Sequence, residues 1–204
     1  MSMIPVPRNM KIQSMNPQMK IEFFTDEEIE GMKNYIQMQF KNNNKRSEVN
    51  KRYFALVITL LRTGGRIDEV LALKAKDFSF ENDTVRLITL KRRGEVYRVI
   101  PMHPELRTTI LKYFLNSHID PKSDDRVFKT TRQAVDKYFK KMQLSLGFKI
   151  HAHKFRHTFA VKAMNSYVPL NVLQKWLGHA SVFTTNVYTE ITGIDTRGFM
   201  EMVK

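Results

Sequence analysis

Cysteine is absent from the 204 residues. That excludes disulfides, thiolate metal sites and thiol nucleophiles, and it suits a reducing compartment without requiring one. Long apolar runs are also missing: no segment approaches the roughly 20 residues that span a bilayer. Residues 1–20 have no apolar signal core, so secretion is not expected and a cytoplasmic location is. Negative charge is scarce, with 20 Asp and Glu against 34 Lys and Arg and a formal net charge of +14. Such a field draws polyanions and is costly to hold on a compact surface without a partner. Nucleic acid is the first partner this balance points to. An acidic protein or an anionic membrane surface stays open. A membrane binder concentrates basic residues on one amphipathic helix, whereas here they spread from Arg8 to Arg197.

What is present suffices for a folded domain. Hydrophobic residues make up 42% of the chain, and its length suits one sizeable domain with or without an appendage. Residues 1–20, with Pro5, Pro7 and Pro17, read as an arm or linker. Thr25-Asp26-Glu27-Glu28 has the form of a capping box, with Phe24 and Ile29 placed as a hydrophobic staple. A helix is expected from there to about Phe40. The polar run Lys41–Asn50 reads as a loop. Tyr53–Leu61 reads as an apolar helix stopped by Thr63-Gly64-Gly65, and a second helix restarts at Arg66. Val85, Leu87 and Thr89 alternate with their neighbours, as do Val96, Arg98 and Ile100. This predicts an antiparallel hairpin whose turn is Lys91-Arg92-Arg93-Gly94. Further helices are expected at Pro104–Asn116, Thr131–Leu146, His153–Ser166, Leu170–Leu177 and Ser181–Ile191. The fold class is mainly α with a small antiparallel β-sheet (α+β).

Four stretches could carry chemistry, and each has a plainer reading. Arg66 follows a glycine break at a helix start, where a guanidinium beside free backbone N–H groups can cradle a phosphate. Glu69, one turn on, is placed to brace it. The plainer reading is a surface ion pair. Lys91, in the hairpin turn, can reach a DNA groove or protonate a leaving oxygen; equally it suits a solvated basic turn. His153 and Arg156 share a helical face, with Phe155, Phe159 and Ala160 on the buried side. Together they suit a phosphate whose charge grows in a transition state. His153 and His157 could instead begin a metal site, but no acidic residue or cysteine lies nearby to complete it. A helix start capped by histidines is the third option. Finally, Gly178 stops a helix, His179 sits in the junction, and Tyr188 follows. A phenol with a pKa near 10 needs cationic neighbours or a base to attack at neutral pH. Read alone, Tyr188 is a surface residue of an amphipathic helix.

Taken in order, Arg66, Lys91, His153-x-x-Arg156, His179 and Tyr188 resemble the tyrosine recombinase family, the phage integrases and their relatives. T-G-x-R-x-x-E spans Thr63–Glu69, H-x-x-R-H-T-F-A spans His153–Ala160, and L-G-H with T-T-x-x-Y spans Leu177–Tyr188. The resemblance runs from about residue 21 to 190. Two positions depart from the family's habit without removing a functional group. Gly65 stands where a larger residue is usual, and Phe155 where leucine is. Many members carry a helical core-binding domain before the catalytic one, whereas here only about 20 residues precede it. This resembles the short single-domain members, or a chain reduced to its catalytic half.

The resemblance implies a catalytic domain over 21–191 and a 192–204 tail that can be exchanged between protomers. It implies a site-specific DNA recombinase acting through a 3′-phosphotyrosine on Tyr188. Arg66 and Arg156 hold the scissile phosphate, His153 and His179 add hydrogen bonds, and Lys91 protonates the leaving oxygen. Glu69 and His157 stand behind them. No cofactor and no metal are expected. The partner is double-stranded DNA, with a homo-tetramer on paired sites built from a chain that can be a monomer in solution. Candidate DNA-contacting residues are Arg92, Arg93, Arg132, Lys137, Lys140 and Lys141, although a solvated charged face explains the last four equally well. A type IB topoisomerase and a catalytically silent DNA-binding regulator are the competing readings.

Overall fold

The computed structural model describes residues 21–39, 45–89 and 96–178. The order is α1 (Asp26–Met38), α2 (Lys45–Thr63), α3 (Ile67–Leu71), a 3-10 turn (Ala75–Asp77), β1 (Phe78–Ser79), β2 (Thr84–Ile88), β3 (Tyr97–Pro101), α4 (Pro104–Asn116), α5 (Arg132–Leu146), α6 (Ala152–Asn165) and α7 (Leu170–Leu177). The mainly helical class with one small antiparallel sheet is what the fold has. Residues 1–20, the 91–94 turn, the expected helix at 181–191 and the 192–204 tail lie outside the described residues. Among the described residues no helix is long and apolar enough to cross a membrane.

The local signals at α1 act as the sequence suggests. Thr25 Oγ1 accepts the Glu28 N–H at 3.2 Å, and the Glu28 carboxylate accepts the Thr25 N–H at 3.1 Å. Phe24 and Ile29 are both buried, as a staple requires. Phe24 N–H also donates to Thr158 Oγ1 on α6 at 2.8 Å. Lys154 Nζ reaches Glu28 at 3.2 Å and lies 4.4 Å from the centre of the Phe24 ring. The entry to the domain is thereby pinned to α6.

Helix α2 is the centre of the molecule. Ala55, Leu56, Val57, Ile58 and Leu60 are fully buried, so α1, α4 and α6 pack around it on several sides. Here one expectation fails. The polar run is not a loop to Asn50, because α2 starts at Lys45. Its polar residues have helical partners. Lys51 pairs with Glu48 one turn back at 2.6 Å, and Asn50 donates to the Gln39 carbonyl at 3.3 Å. The first turns of α2 thus carry polar contacts in place of an apolar stripe.

The sheet is three-stranded in the order β1-β2-β3, one short strand more than expected. β2 and β3 form the antiparallel pair, with Val85 opposite Ile100 and Leu87 opposite Arg98. Val85, Leu87 and Ile100 face the core, and so does Arg98. α5 presents Val135, Phe139 and Met142 inward, where Phe139 stacks on Phe155 of α6. α7 ends at Gly178, whose φ of +66° suits glycine.

Candidate active site

Arg66 is the N-cap of α3, placed there by the break at Gly64-Gly65. Its backbone N–H donates to Glu69 Oε2 at 2.9 Å, and its Nη1 donates to Glu69 Oε1 at 3.0 Å. Gly65 N–H goes to Thr63 Oγ1 at 3.1 Å. The backbone N–H groups of Gly65 and Arg66 are therefore occupied within the turn. What the turn offers outward is the Arg66 side chain, 28% exposed and oriented by a carboxylate that is 1% exposed. Gly65 also has a packing reason to be small: a Cβ there would lie 2.8 Å from Val70 Cγ2.

Glu69 serves two guanidiniums. Arg98 Nη2 donates to Glu69 Oε2 at 2.6 Å, while Arg66 holds the other oxygen. Burial alone would push the Glu69 carboxyl up. The hydrogen bond and charge of Arg98, then those of Arg66, outweigh it and hold the carboxyl below its ordinary value. Glu69 is thus ionised at neutral pH. Arg98 also donates from Nε to the Trp176 carbonyl at 2.8 Å and from Nη1 to Thr89 Oγ1 at 3.3 Å. The sequence puts Arg98 in one alternating row with Val96 and Ile100 and gives it no part in the site. An arginine in the same alternating row as Val96 and Ile100 is the available signal.

Arg156 lies on α6 and is itself buried, 2% exposed, so the buried side of α6 includes it beside Phe155 and Ala160. Nη1 donates to the Gly64 carbonyl and Nη2 to the Leu177 carbonyl, both at 2.8 Å. Two carbonyls fix the plane of the guanidinium. They also join the α2–α3 break to the end of α7. His153, three residues earlier, is exposed, and its ring meets that of His157 edge-on at 4.4 Å. Burial, then the charges of His153, Arg156 and His151, pull the His157 imidazole down to about 4. His157 is therefore neutral at pH 7. His151 caps α6, its Nδ1 accepting the Lys154 N–H at 3.3 Å. Among the described residues no group of three or more His, Asp or Glu side chains is placed to hold a metal.

The structure therefore gathers Arg66, Glu69, Arg98 and Arg156 around the junction of α2, α3, β3 and α7. Leu177 directly precedes Gly178 and His179 in the chain. Lys91, Arg92, Arg93, His179 and Tyr188 lie outside the described residues. On α5, Lys137, Lys140 and Lys141 are exposed, whereas Arg132 pairs with Asp68 at 2.8 Å.

Residues 22–193 match the phage integrase family. The chain belongs to that family. Among its curated relatives is the tyrosine recombinase XerA of Pyrococcus horikoshii, 29% identical over 96% of this chain and 73% of that one. XerC of Mesorhizobium japonicum is 33% identical over 72% of this chain and 49% of its own length. XerA of Saccharolobus solfataricus is 29% identical over 70% of this chain and 47% of its own. The chain thus spans about half the length of most curated relatives it matches. Solved integrase-family structures share the fold. XerH in a post-cleavage complex on a palindromic difH substrate gives a TM-score of 0.69 at 24% identity, covering 94% of this chain and 56% of that one. The catalytic domain of the bacteriophage HP1 integrase gives 0.64 at 19% identity, covering 90% and 94%.

Proposed function

We propose that this phage integrase family chain is the catalytic unit of a site-specific DNA recombinase, with Tyr188 as nucleophile. The observation that carries this is the Arg156 guanidinium, held between the Gly64 and Leu177 carbonyls. It ties the turn presenting Arg66 to the chain leading into His179 and Tyr188. Two guanidiniums set at one junction suit a phosphodiester, whose non-bridging oxygens gain charge as phosphorus becomes five-coordinate. Two carbonyls fix the Arg156 plane and Glu69 orients Arg66, so little reorganisation is needed at the moment of reaction.

In the first step the Tyr188 phenolate oxygen attacks phosphorus and the bond from phosphorus to the 5′-oxygen breaks. His153 takes the phenol proton, and Lys91 gives a proton to the departing 5′-oxygen. A 3′-phosphotyrosine and a free 5′-hydroxyl result. In the second step the 5′-hydroxyl of a partner strand attacks the same phosphorus and releases Tyr188. One phosphodiester replaces another, so no external energy source enters. Arg66 and Arg156 hold the non-bridging oxygens, His179 adds a hydrogen bond, and Glu69 keeps Arg66 in position. His157, neutral and packed against His153, orients that ring. Arg92, Arg93, Arg132, Lys137, Lys140 and Lys141 contact DNA.

The relatives bound to difH substrate support double-stranded DNA as the partner. The net charge of +14 supports it independently, and binding should weaken steeply with salt. Residues 21–191 form the catalytic unit, with 1–20 as an arm and 192–204 as a tail exchanged between protomers of a tetramer on paired sites.

The test is covalent trapping on a nicked duplex carrying a site that the chain selects from a random-sequence pool. Wild-type chain should form a protein–DNA adduct, in EDTA as in Mg²⁺. Tyr188→Phe should bind equally and form none. Adducts persisting in Tyr188→Phe would refute the nucleophile. Binding without any wild-type adduct would favour a silent regulator.

A further inference from the structure

Arg98 occupies a position where an aliphatic residue would complete the inward row of β3, directly opposite Leu87. It is 8% exposed. A buried guanidinium is tolerated only where acceptors meet it, and here they come from three separate segments. Nη2 goes to Glu69 of α3, Nη1 to Thr89 after β2, and Nε to the Trp176 carbonyl of α7. Gly178 closes over the same side chain: a Cβ there would lie 3.1 Å from Arg98 Cδ and 3.3 Å from Nη1. Each contact stands next to a residue of the proposed site. Glu69 braces Arg66, Thr89 lies two positions before Lys91, and Trp176 and Gly178 lead into His179.

We infer that Arg98 is a positioning residue for strand cleavage, holding Arg66 in register with the chain segments that carry Lys91 and His179. The inference rests on the recombinase reading. Arg98 is assigned no DNA contact: its Nε, Nη1 and Nη2 each donate to a protein acceptor. It acts through the Glu69 carboxylate, the Thr89 hydroxyl and the Trp176 carbonyl. An ordinary buried ion pair stabilises the fold and leaves the chemical step alone. A positioning pair sets the rate of that step in molecules already folded and bound.

Single-turnover cleavage of the nicked, pool-selected duplex at saturating protein separates the two. Loss of folded protein lowers the fraction cleaved, whereas misalignment lowers the rate constant. Arg98→Met removes all three donations. The rate constant should fall by about 10- to 100-fold, the loss that displacements near 1 Å produce, with DNA affinity unchanged within about twofold. Arg98→Lys keeps a second cation beside Glu69, but a point charge cannot serve three acceptors; it should remain about tenfold slow. If Arg98→Met does not fold, Arg98→Lys decides. A wild-type rate constant in a folded variant, with or without a smaller fraction cleaved, overturns the inference. A wild-type chain that binds the duplex and forms no adduct is a different result: it removes the recombinase reading, and this inference falls with it.

Discussion

Arg156 Nη1 lies 2.8 Å from the Gly64 carbonyl oxygen, joining positions 92 residues apart in the chain. The contact exists because Gly64 turns the backbone with a φ of +59°. It also leaves room for Phe159, since a Cβ on Gly64 would lie 2.4 Å from Phe159 Cδ1 and 3.0 Å from Leu177 Cδ2. Gly64→Ala meets both penalties, strained backbone and overpacking, and should lose about 2 to 4 kcal/mol. Urea unfolding of the two chains measures this. An unchanged midpoint would mean the turn has another accessible conformation.

Lys91 is proposed to protonate the leaving 5′-oxygen. A 5′-bridging sulfur leaves as a thiolate, and a thiol with a pKa near 8.5 needs no such help. Lys91→Ala should therefore be slow on ordinary DNA, by roughly 10²-fold or more. It should approach the wild-type rate on the sulfur-substituted strand. Equal defects on both substrates would assign Lys91 to binding instead.

His157 gives a pH signature in stability. Its imidazole is held down to about 4 in the folded chain, against an ordinary value of 6.5. Between those values the unfolded chain takes up a proton that the folded chain refuses. Stability is therefore lost as pH falls through that window and is unaffected above it. His157→Asn should flatten the fall in Tm between pH 6.5 and 4.5. A decline as steep as wild type would place the acid sensitivity elsewhere.

Much of the architecture was legible because its signals are local. Thr25 and Glu28 lie three residues apart and cap α1 by themselves. Pro104 opens α4, and Gly178 ends α7 where a left-handed residue is needed. The alternation of β2 and β3 marks the row that the fold buries as Val85, Leu87, Arg98 and Ile100. The start of α2 is not legible, because Lys45–Asn50 carries no apolar stripe. Its polar residues make contacts there instead: Glu48 pairs with Lys51, and Asn50 reaches Gln39 and Tyr138. β1 leaves no mark in the sequence, because two residues are too few to show a period.

The sequence by itself determined which chemical groups this chain possesses: no thiol, a surplus of cations, and arginines, histidines and a tyrosine in a family's order and spacing. It determined α3 and its Arg66–Glu69 contact too, since one helical turn sets that distance. Only the tertiary structure decided that Glu69 is shared with Arg98, that Arg156 is buried against two carbonyls, and that the Gly65 and Arg66 N–H groups are already taken. Those facts depend on which distant acceptors close packing brings within hydrogen-bonding distance. Periodicity and spacing describe a chain's relation to its own neighbours, and a buried guanidinium answers to whatever the fold places around it.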